Sequence, residues 1–179
     1  MVFKYGCVIG LCGMLFSGAA WCDDTNTVNY EGTLFNLACV IDEEIPVFVD
    51  MGTITDKQLY KNGHSVAKNF TLTLKNCDPA LANSVKITLN GTAVSVTPDG
   101  YLAFDASSVA KGAVISISDD SLSRGHIPMG SPLPAKPIES GTMRIPLYAS
   151  VVATPEALEN QSLVPGSFTA TLYYLVEFE

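Results

Sequence analysis

The last fourteen residues of the chain alternate between apolar and polar side chains over their whole length. Every second position is apolar, and the positions between are polar except Tyr173 and Leu175. A period of two is typical of a β-strand with one buried face. The predicted terminal strand runs from Gly166 to Glu179, and its apolar face consists of Phe168, Ala170, Leu172, Tyr174, Val176 and Phe178.

We expect the far edge of this strand to be unpaired within the chain, because the sequence ends with it. Proteins normally cover a long apolar strand edge with charge, proline or another strand. The pattern therefore predicts that the covering strand comes from another molecule.

A second alternation lies near the start of the chain, with Val28, Tyr30, Gly32 and Leu34 on one face and polar residues between them. A glycine on an apolar face costs packing and backbone entropy. Two interpretations of Gly32 remain open. It marks a bulge at the start of the first strand, or it leaves a gap that fits a shallow spot in a receiving groove.

Short alternating segments separated by turn residues predict the other strands. They cover residues 34–41, 45–51, 70–75, 85–89, 102–104, 114–117 and 143–153. Turns are predicted at 42–44, at Asn62-Gly63 and at Asp99-Gly100, a loop over 124–137, and one helical turn over 154–158. Pro146 is expected at an edge or a bulge. No sustained helical period is present, so the chain is predicted to be an all-β sandwich.

Composition excludes some function classes. The chain has 179 residues, 47% of them hydrophobic and 16% charged, which fits one folded domain. Its net charge is −8. Acidic proteins offer few of the basic contacts that release counterions, so we expect neither a nucleic acid nor an anionic membrane as partner.

Residues 1–22 have the pattern of a secretory signal peptide. Lys4 supplies the positive charge, residues 7–16 are apolar but too short to span a bilayer, and small residues follow at 17–20. Cleavage is expected after Cys22 or after Ala20. Since no later run of 18 apolar residues exists, we expect no transmembrane segment in the mature chain.

The predicted signal peptide determines how the cysteines are interpreted, because it is removed on export. Cys7, Cys12 and Cys22 leave with the signal peptide, so Cys39 and Cys77 remain. Two cysteines in an oxidising compartment predict a disulfide, which stabilises by about 4 kcal/mol for a loop of this length. No metal or cofactor is expected, because two cysteines and two distant histidines lack ligand spacing.

No catalytic constellation stands out. His64 and His126 lie in polar, turn-like stretches and are expected at the surface, and no G-x-S-x-G motif is present. Asp119-Asp120 is expected to face water. The chain is therefore not expected to be an enzyme.

Four sequence features occur together over the mature chain. They are G-T-L-F-N-L-A-C at residues 32–39, L-K-N-C at 74–77, Gly166 at the fourteenth position from the end, and the alternating terminal strand with Phe178 next to last. As a set they resemble bacterial pilin subunits of the chaperone–usher pathway, of the type 1 and P pilus kind. Residues 151–158 (V-V-A-T-P-E-A-L) and the V-P-G at 164–166 resemble in particular the minor adaptor subunit of P pili.

The resemblance implies an incomplete immunoglobulin-like β-sandwich that lacks its last strand. A periplasmic chaperone supplies the strand first, and the N-terminal extension of a neighbouring pilin subunit replaces it by donor-strand exchange at an outer-membrane usher. Residues 1–22 would be the signal peptide, 23–34 the donor-strand extension and 35–179 the pilin domain. The subunit would pass through the periplasm to the fimbrium on the bacterial cell surface.

The resemblance also assigns site residues. The donor strand would present Val28, Tyr30, Gly32 and Leu34. The acceptor groove and chaperone-binding strand would comprise Gly166, Phe168, Ala170, Leu172, Tyr174, Val176, Phe178 and Glu179, with the Glu179 carboxylate in a basic cleft of the chaperone. The implied function is a minor adaptor pilin that supports cell adhesion. A major rod pilin, a terminating subunit and a carbohydrate-binding tip adhesin are the alternatives.

Overall fold

The computed structural model describes residues 31–33, 36–41, 47–91, 97–121 and 125–179. Residues 31–33 belong to an N-terminal unit, Met1–Leu34, and the remainder to the unit Phe35–Glu179, which holds the sandwich. The predicted signal peptide, the donor positions Val28, Tyr30 and Leu34, and the turn at 42–44 lie outside the described residues. Gly32 is described and has no regular secondary structure.

Two antiparallel sheets make up the described part of the second unit. The larger sheet has five strands in the order β1-β2-β7-β5-β4, and the smaller sheet has three in the order β6-β3-β8. The strands are β1 (Val40–Ile41), β2 (Lys68–Cys77), β3 (Ser84–Gly91), β4 (Leu102–Ala103), β5 (Ala113–Ser118), β6 (Lys136–Pro137), β7 (Gly141–Ala153) and β8 (Leu172–Phe178). Two short helices are α1 (Asp56–Asn62) and α2 (Pro155–Glu159).

One hydrophobic core lies between the two sheets. The residues that are almost fully buried come from both of them, so the sheets pack face to face. The largest are Leu74, Val85, Leu89, Ile145, Leu147 and Val151. This arrangement confirms the predicted all-β sandwich.

Several strand predictions are confirmed, and in β2 and β3 the period-two pattern coincides with the observed burial. The segments predicted at 70–75, 85–89, 114–117 and 143–153 lie within β2, β3, β5 and β7. Pro146 lies opposite Thr71 in the part of β7 that extends beyond its ladder with β5. This part of the strand has a neighbour on one side among the described residues, as expected for a proline in a sheet.

The first two predicted strands are largely wrong. In the segment predicted at 34–41, only Val40–Ile41 is strand among the described residues, and residues 47–51 form none. Ala38 and Cys39 are both buried, at 3% and 1% exposure, and neither belongs to a strand. The Ala38 carbonyl accepts the Asp78 N–H at 2.8 Å, and the disulfide holds the next residue.

The turn predicted at Asn62-Gly63 is the end of helix α1, a helix that the sequence patterns did not predict. Gly63 has a φ of 77° and donates its N–H to the Leu59 carbonyl, which is a helix C-cap. At the other end, the Thr55 hydroxyl accepts the Gln58 N–H at 3.2 Å. The T-x-x-Q spacing of a capping box was the sequence signal for this helix. By contrast, the helical turn predicted over 154–158 is confirmed by α2.

The predicted disulfide between Cys39 and Cys77 is confirmed. It joins the residue before β1 to the last residue of β2, and both cysteines are buried. The bridge therefore anchors the irregular start of the sandwich to one of its two longest strands.

His126 is not the surface residue that was predicted. Its ring stacks on Tyr101 with centroids 3.9 Å apart, and Nδ1 lies 3.1 Å from the buried Ser116 hydroxyl. Nε2 is buried without a hydrogen-bond partner among the described residues. Burial lowers the pKa of His126 below its ordinary value, and nearby main-chain groups of Asp99, Gly100 and Ile117 oppose that shift in part. His64 is exposed, as predicted.

The lowered pKa of His126 predicts acid sensitivity. The fold favours the neutral ring, so its contribution to stability is complete above the unfolded-state pKa of about 6.5 and is lost as the pH falls through the folded-state pKa. We expect the urea midpoint of the wild-type chain to drop between about pH 7 and pH 5 more steeply than that of His126→Phe, which keeps an aromatic ring but cannot be protonated. If the urea midpoints of the two proteins fell equally with pH, His126 would not be the source of the acid sensitivity.

Candidate site for strand addition

The terminal segment keeps its alternation through all fourteen residues. The six residues of the predicted apolar face are half-buried and pack against the core, and the residues between them are exposed. Among the exposed residues, Tyr173 and Leu175 each retain 53% of their surface. The predicted two-faced pattern is therefore present from Phe168 to Phe178.

The segment is nevertheless not one regular strand, because it changes partners on the way. Val164 and Lys111 exchange two N–H···O bonds of 3.0 Å, and the Thr169 carbonyl accepts the Asp105 N–H at 2.8 Å. Residues 105–111 connect two strands of the larger sheet, whereas β8 pairs with β3 of the smaller sheet. The chain thus crosses from one sheet to the other before β8 begins, which shortens the predicted strand to Leu172–Phe178.

Gly166 lies at the closest point of this crossing. A Cβ atom at Gly166 would lie 2.6 Å from Val109 Cγ1 and 3.0 Å from the Ala110 nitrogen. The next carbonyl, of Ser167, accepts the N–H groups of both Val109 and Ala110. Gly166 therefore allows the terminal segment to lie directly against the larger sheet.

An aromatic pair closes the same end of the sandwich. The rings of Phe104 and Phe168 stack with centroids 4.4 Å apart, immediately after β4 and shortly before β8. Ile54, Leu59 and Leu163 line the same apolar hollow. The beginning of the predicted acceptor face is thus built from both sheets.

The register of β8 shows which way its main-chain groups point. Ser84 and Glu179 exchange two N–H···O bonds of 2.9 Å, so they are a hydrogen-bonded pair. Such pairs alternate along an antiparallel ladder, and the odd-numbered residues of β8 therefore face β3. The outward-pointing main-chain groups belong to Leu172, Tyr174, Val176 and Phe178.

These four residues also carry the apolar side chains of β8. Their neighbours Val85, Ile87 and Leu89 on β3 are 0–3% exposed, whereas the four residues on β8 are only half-buried. Within the described residues β8 pairs with β3 alone. Its other edge can accept a further strand, which would form main-chain hydrogen bonds and cover the apolar face in one step.

An ion pair that the sequence patterns did not identify lies on the solvent-facing side of the smaller sheet, at the end of β8. Lys86 on β3 lies opposite Glu177 and forms an ion pair with the Glu179 side chain. The hydrogen bond to Glu179 and the charge of that carboxylate raise the pKa of Lys86, and Glu177 adds to the effect. An exposed position in an alternating strand gave no sequence signal for this contact.

Other residues at the site were also missed. Val109 and Ser108, whose hydroxyl contacts both main-chain groups of Thr169, come from a segment that the sequence patterns left unassigned. Phe104 belongs to a predicted strand but was not assigned to the site. In the ranges that the structure describes, no group of three His, Cys, Asp or Glu residues could hold a metal ion. No helix within those ranges is long and apolar enough to cross a membrane.

Among the described residues the fold is a two-sheet β-sandwich whose last strand pairs on one side. Residues 28–179 match the family model for fimbrial proteins, which covers both the N-terminal alternation and the sandwich. The chain therefore belongs to the fimbrial protein family, which confirms its resemblance to pilins. It is a structural fimbrial subunit with an immunoglobulin-like fold.

Individual relatives agree with this placement. The chain is 25% identical to the major MR/P fimbria protein of Proteus mirabilis over 98% of both proteins. It is 27% identical to the fimbrial adapter PapK of Escherichia coli over 80% of this chain and 83% of PapK. The crystal structure of the P pilus rod subunit PapA has the same fold, with a TM-score of 0.66 at 18% identity over 80% of this chain and all of PapA.

The contact at Gly166 predicts a specific loss of stability. Gly166→Ala should lower the free energy of unfolding by about 1–3 kcal/mol, because the methyl group overlaps Val109 and main-chain atoms that cannot easily move. Gly125→Ala is the matched control, since its Cβ would lie 3.4 Å from the Asp119 carboxylate and should change stability by less than about 1 kcal/mol. Equal urea midpoints for the two variants would show that the crossing is not tightly packed.

Proposed function

We propose that the chain is a minor, adaptor-type pilin that polymerises head to tail by donor-strand exchange and supports cell adhesion. One observation carries the proposal. The four residues of β8 that point their main-chain groups away from β3 are the same four that leave an apolar face half-covered. A strand added at this edge would lie along these main-chain groups and cover the apolar face in one step.

The donor in this proposal is the N-terminal extension, residues 23–34, of a neighbouring subunit. In this chain Val28, Tyr30, Gly32 and Leu34 would form its buried face, and 35–179 would be the receiving pilin domain. Burying the three larger side chains supplies about 5–9 kcal/mol before the cost of ordering is subtracted. Each subunit carries one donor face and one receiver face, and the two faces differ. Contacts between unlike faces join subunits head to tail and build open filaments.

Export precedes assembly in this scheme. Residues 1–22 direct the chain to the periplasm, a chaperone there occupies the β8 edge, and an outer-membrane usher exchanges that strand for a donor. The Glu179 carboxylate would contact a basic cleft of the chaperone. The finished subunit lies in the fimbrium on the cell surface.

The adaptor role is supported by residues 151–158 and by the similarity to PapK. In the structure this segment ends β7 and forms α2, with the Thr154 hydroxyl accepting the Ala157 N–H at 3.2 Å. Ala157 packs so closely on Gly112 that a Cβ there would lie 2.8 Å from the Ala157 Cβ. Residues 151–158 therefore form a compact corner of the sandwich.

A major rod pilin is the second candidate, favoured by the full-length match to the major MR/P fimbria protein. The number of copies in a fibre separates the two roles. Quantitative mass spectrometry of isolated fimbriae should find a few copies per fibre for an adaptor. Hundreds of copies or more would establish the rod role instead.

Removal of residues 23–31 tests the donor assignment. The deletion removes Val28 and Tyr30 but leaves the sandwich and its β8 edge intact. We expect a folded subunit that still co-purifies with the chaperone but does not add to a fibre, as measured by electron microscopy and by fractionation of sheared fimbriae. Fibre incorporation at the wild-type level would refute the assignment.

Phe178→Ala tests the acceptor face. Phe178 lies opposite Val85 and is half-buried, so the truncation removes about 1.5 kcal/mol or more of apolar contact and should reduce chaperone co-purification by about tenfold. Leu175→Ala is the matched control on the same strand, because Leu175 faces outward and is 53% exposed. A similar loss in both variants would mean that the inner face of β8 has no special role.

A further inference from the structure

The last residue of the terminal segment is held as firmly as a residue inside a sheet. The main-chain oxygen of Glu179 accepts the N–H groups of Asn83 at 2.7 Å and Ser84 at 2.9 Å, and its own N–H donates to the Ser84 carbonyl. The Glu179 side chain forms the ion pair with Lys86. Chain ends normally fray unless they are tied down. We call Asn83, Ser84 and Lys86, with Glu179, the end clamp.

The apolar pattern of β8 does not by itself fix its register. A slip by one residue would turn the apolar face outward, but the two-residue slip that brings Leu175 opposite Lys86 would keep an apolar side chain at every inward position. No hairpin connects β8 to β3, since the two strands lie far apart in the chain. Contacts at both ends of the strand must therefore select one register: the bonds of Ser167 and Thr169 to residues 105–110 at its start, and the end clamp at its close.

The native register is the one that satisfies the whole end clamp. Lys86 lies opposite Glu177 and beside Glu179, so its charge faces two carboxylates. A slip that brings Leu175 opposite Lys86 leaves one carboxylate near the ammonium group. A slip in the other direction keeps both carboxylates but gives up the three main-chain bonds between Glu179 and residues 83–84.

We propose that Lys86 is a positioning residue that sets the register of β8 and so aligns the receiving edge with an incoming strand. The inference rests on the proposed function, because register matters when a partner of fixed side-chain spacing must match the edge. Each two-residue slip moves every inward apolar side chain of β8 to the position that the next inward side chain held. A donor with one small position, such as Gly32, then meets the wrong neighbours.

The test uses the full-length mature chain and two readouts. Hydrogen exchange followed by mass spectrometry measures the opening of residues 172–179, and a synthetic peptide with the sequence of residues 23–34 is the binding probe. We expect Lys86→Gln to accelerate exchange in this segment and to slow peptide association, each by about two- to fivefold, which is the range that exposed ion pairs support. Both effects should shrink at about 1 M salt, because screening weakens the wild-type pair.

Three further variants make the result specific. Lys86→Arg should behave as wild type, Glu179→Gln should reproduce Lys86→Gln, and the double variant should be no worse than either single change. Lys68→Gln is the control for loss of an exposed lysine at the start of β2. Unchanged exchange in Lys86→Gln, or equal effects of Arg and Gln at this position, would overturn the proposal.

The two readouts also separate this inference from the proposed function. If the wild-type chain binds neither the peptide nor the chaperone, donor-strand exchange is wrong. The exchange of residues 172–179 then still reports whether Lys86 holds the strand. If the wild-type chain binds both but the Lys86 variants match it in exchange and in peptide association, the clamp proposal alone fails.

Discussion

Strand β8 is hydrogen-bonded on one side only among the described residues, and the rest of the structure depends on that asymmetry. In an antiparallel ladder the residues that turn their main-chain groups outward share one face of the sheet. Here that face is the apolar one. The half-buried apolar side chains of Leu172, Tyr174, Val176 and Phe178 are not covered favourably by water. An added strand would cover these side chains and pair with the outer edge of β8, and in the proposed function a neighbouring subunit supplies it.

The remaining contacts hold this edge in a defined position. At one end, the close approach of Gly166 to Val109 and the stacked rings of Phe104 and Phe168 fix the terminal segment to the larger sheet. At the other end, Glu179 is bound to β3 by main-chain bonds and by Lys86. An edge that is already ordered loses less conformational entropy when a partner binds. The apolar surface is therefore held in a defined position, as the proposed receiving site requires.

Period-two patterns predicted the parts of the fold in which burial alternates regularly. This was true for Leu72 and Leu74 in β2, for Val85, Ile87 and Leu89 in β3, and for the whole terminal segment. The patterns failed where a distant contact decides the local conformation. The disulfide draws Cys39 and its neighbour Ala38 into the core together, and residues 105–111 take over the pairing of the terminal segment before β8. His126 is buried by Tyr101 and Ser116, which are not its sequence neighbours, so its polar flanks misled.

The path of the chain has a consequence for folding. The long partner of β3 is β8, the last element described, and the core side chains of β3 are among the most deeply buried of the described residues. While the chain emerges with its N-terminus first, Val85, Ile87 and Leu89 have no completed sheet to join until the final residues appear. Pairings between such distant segments form slowly and leave apolar strands exposed in the meantime. A helper that binds the unfinished sandwich early would thus protect the nascent subunit from aggregation as well as prepare it for assembly.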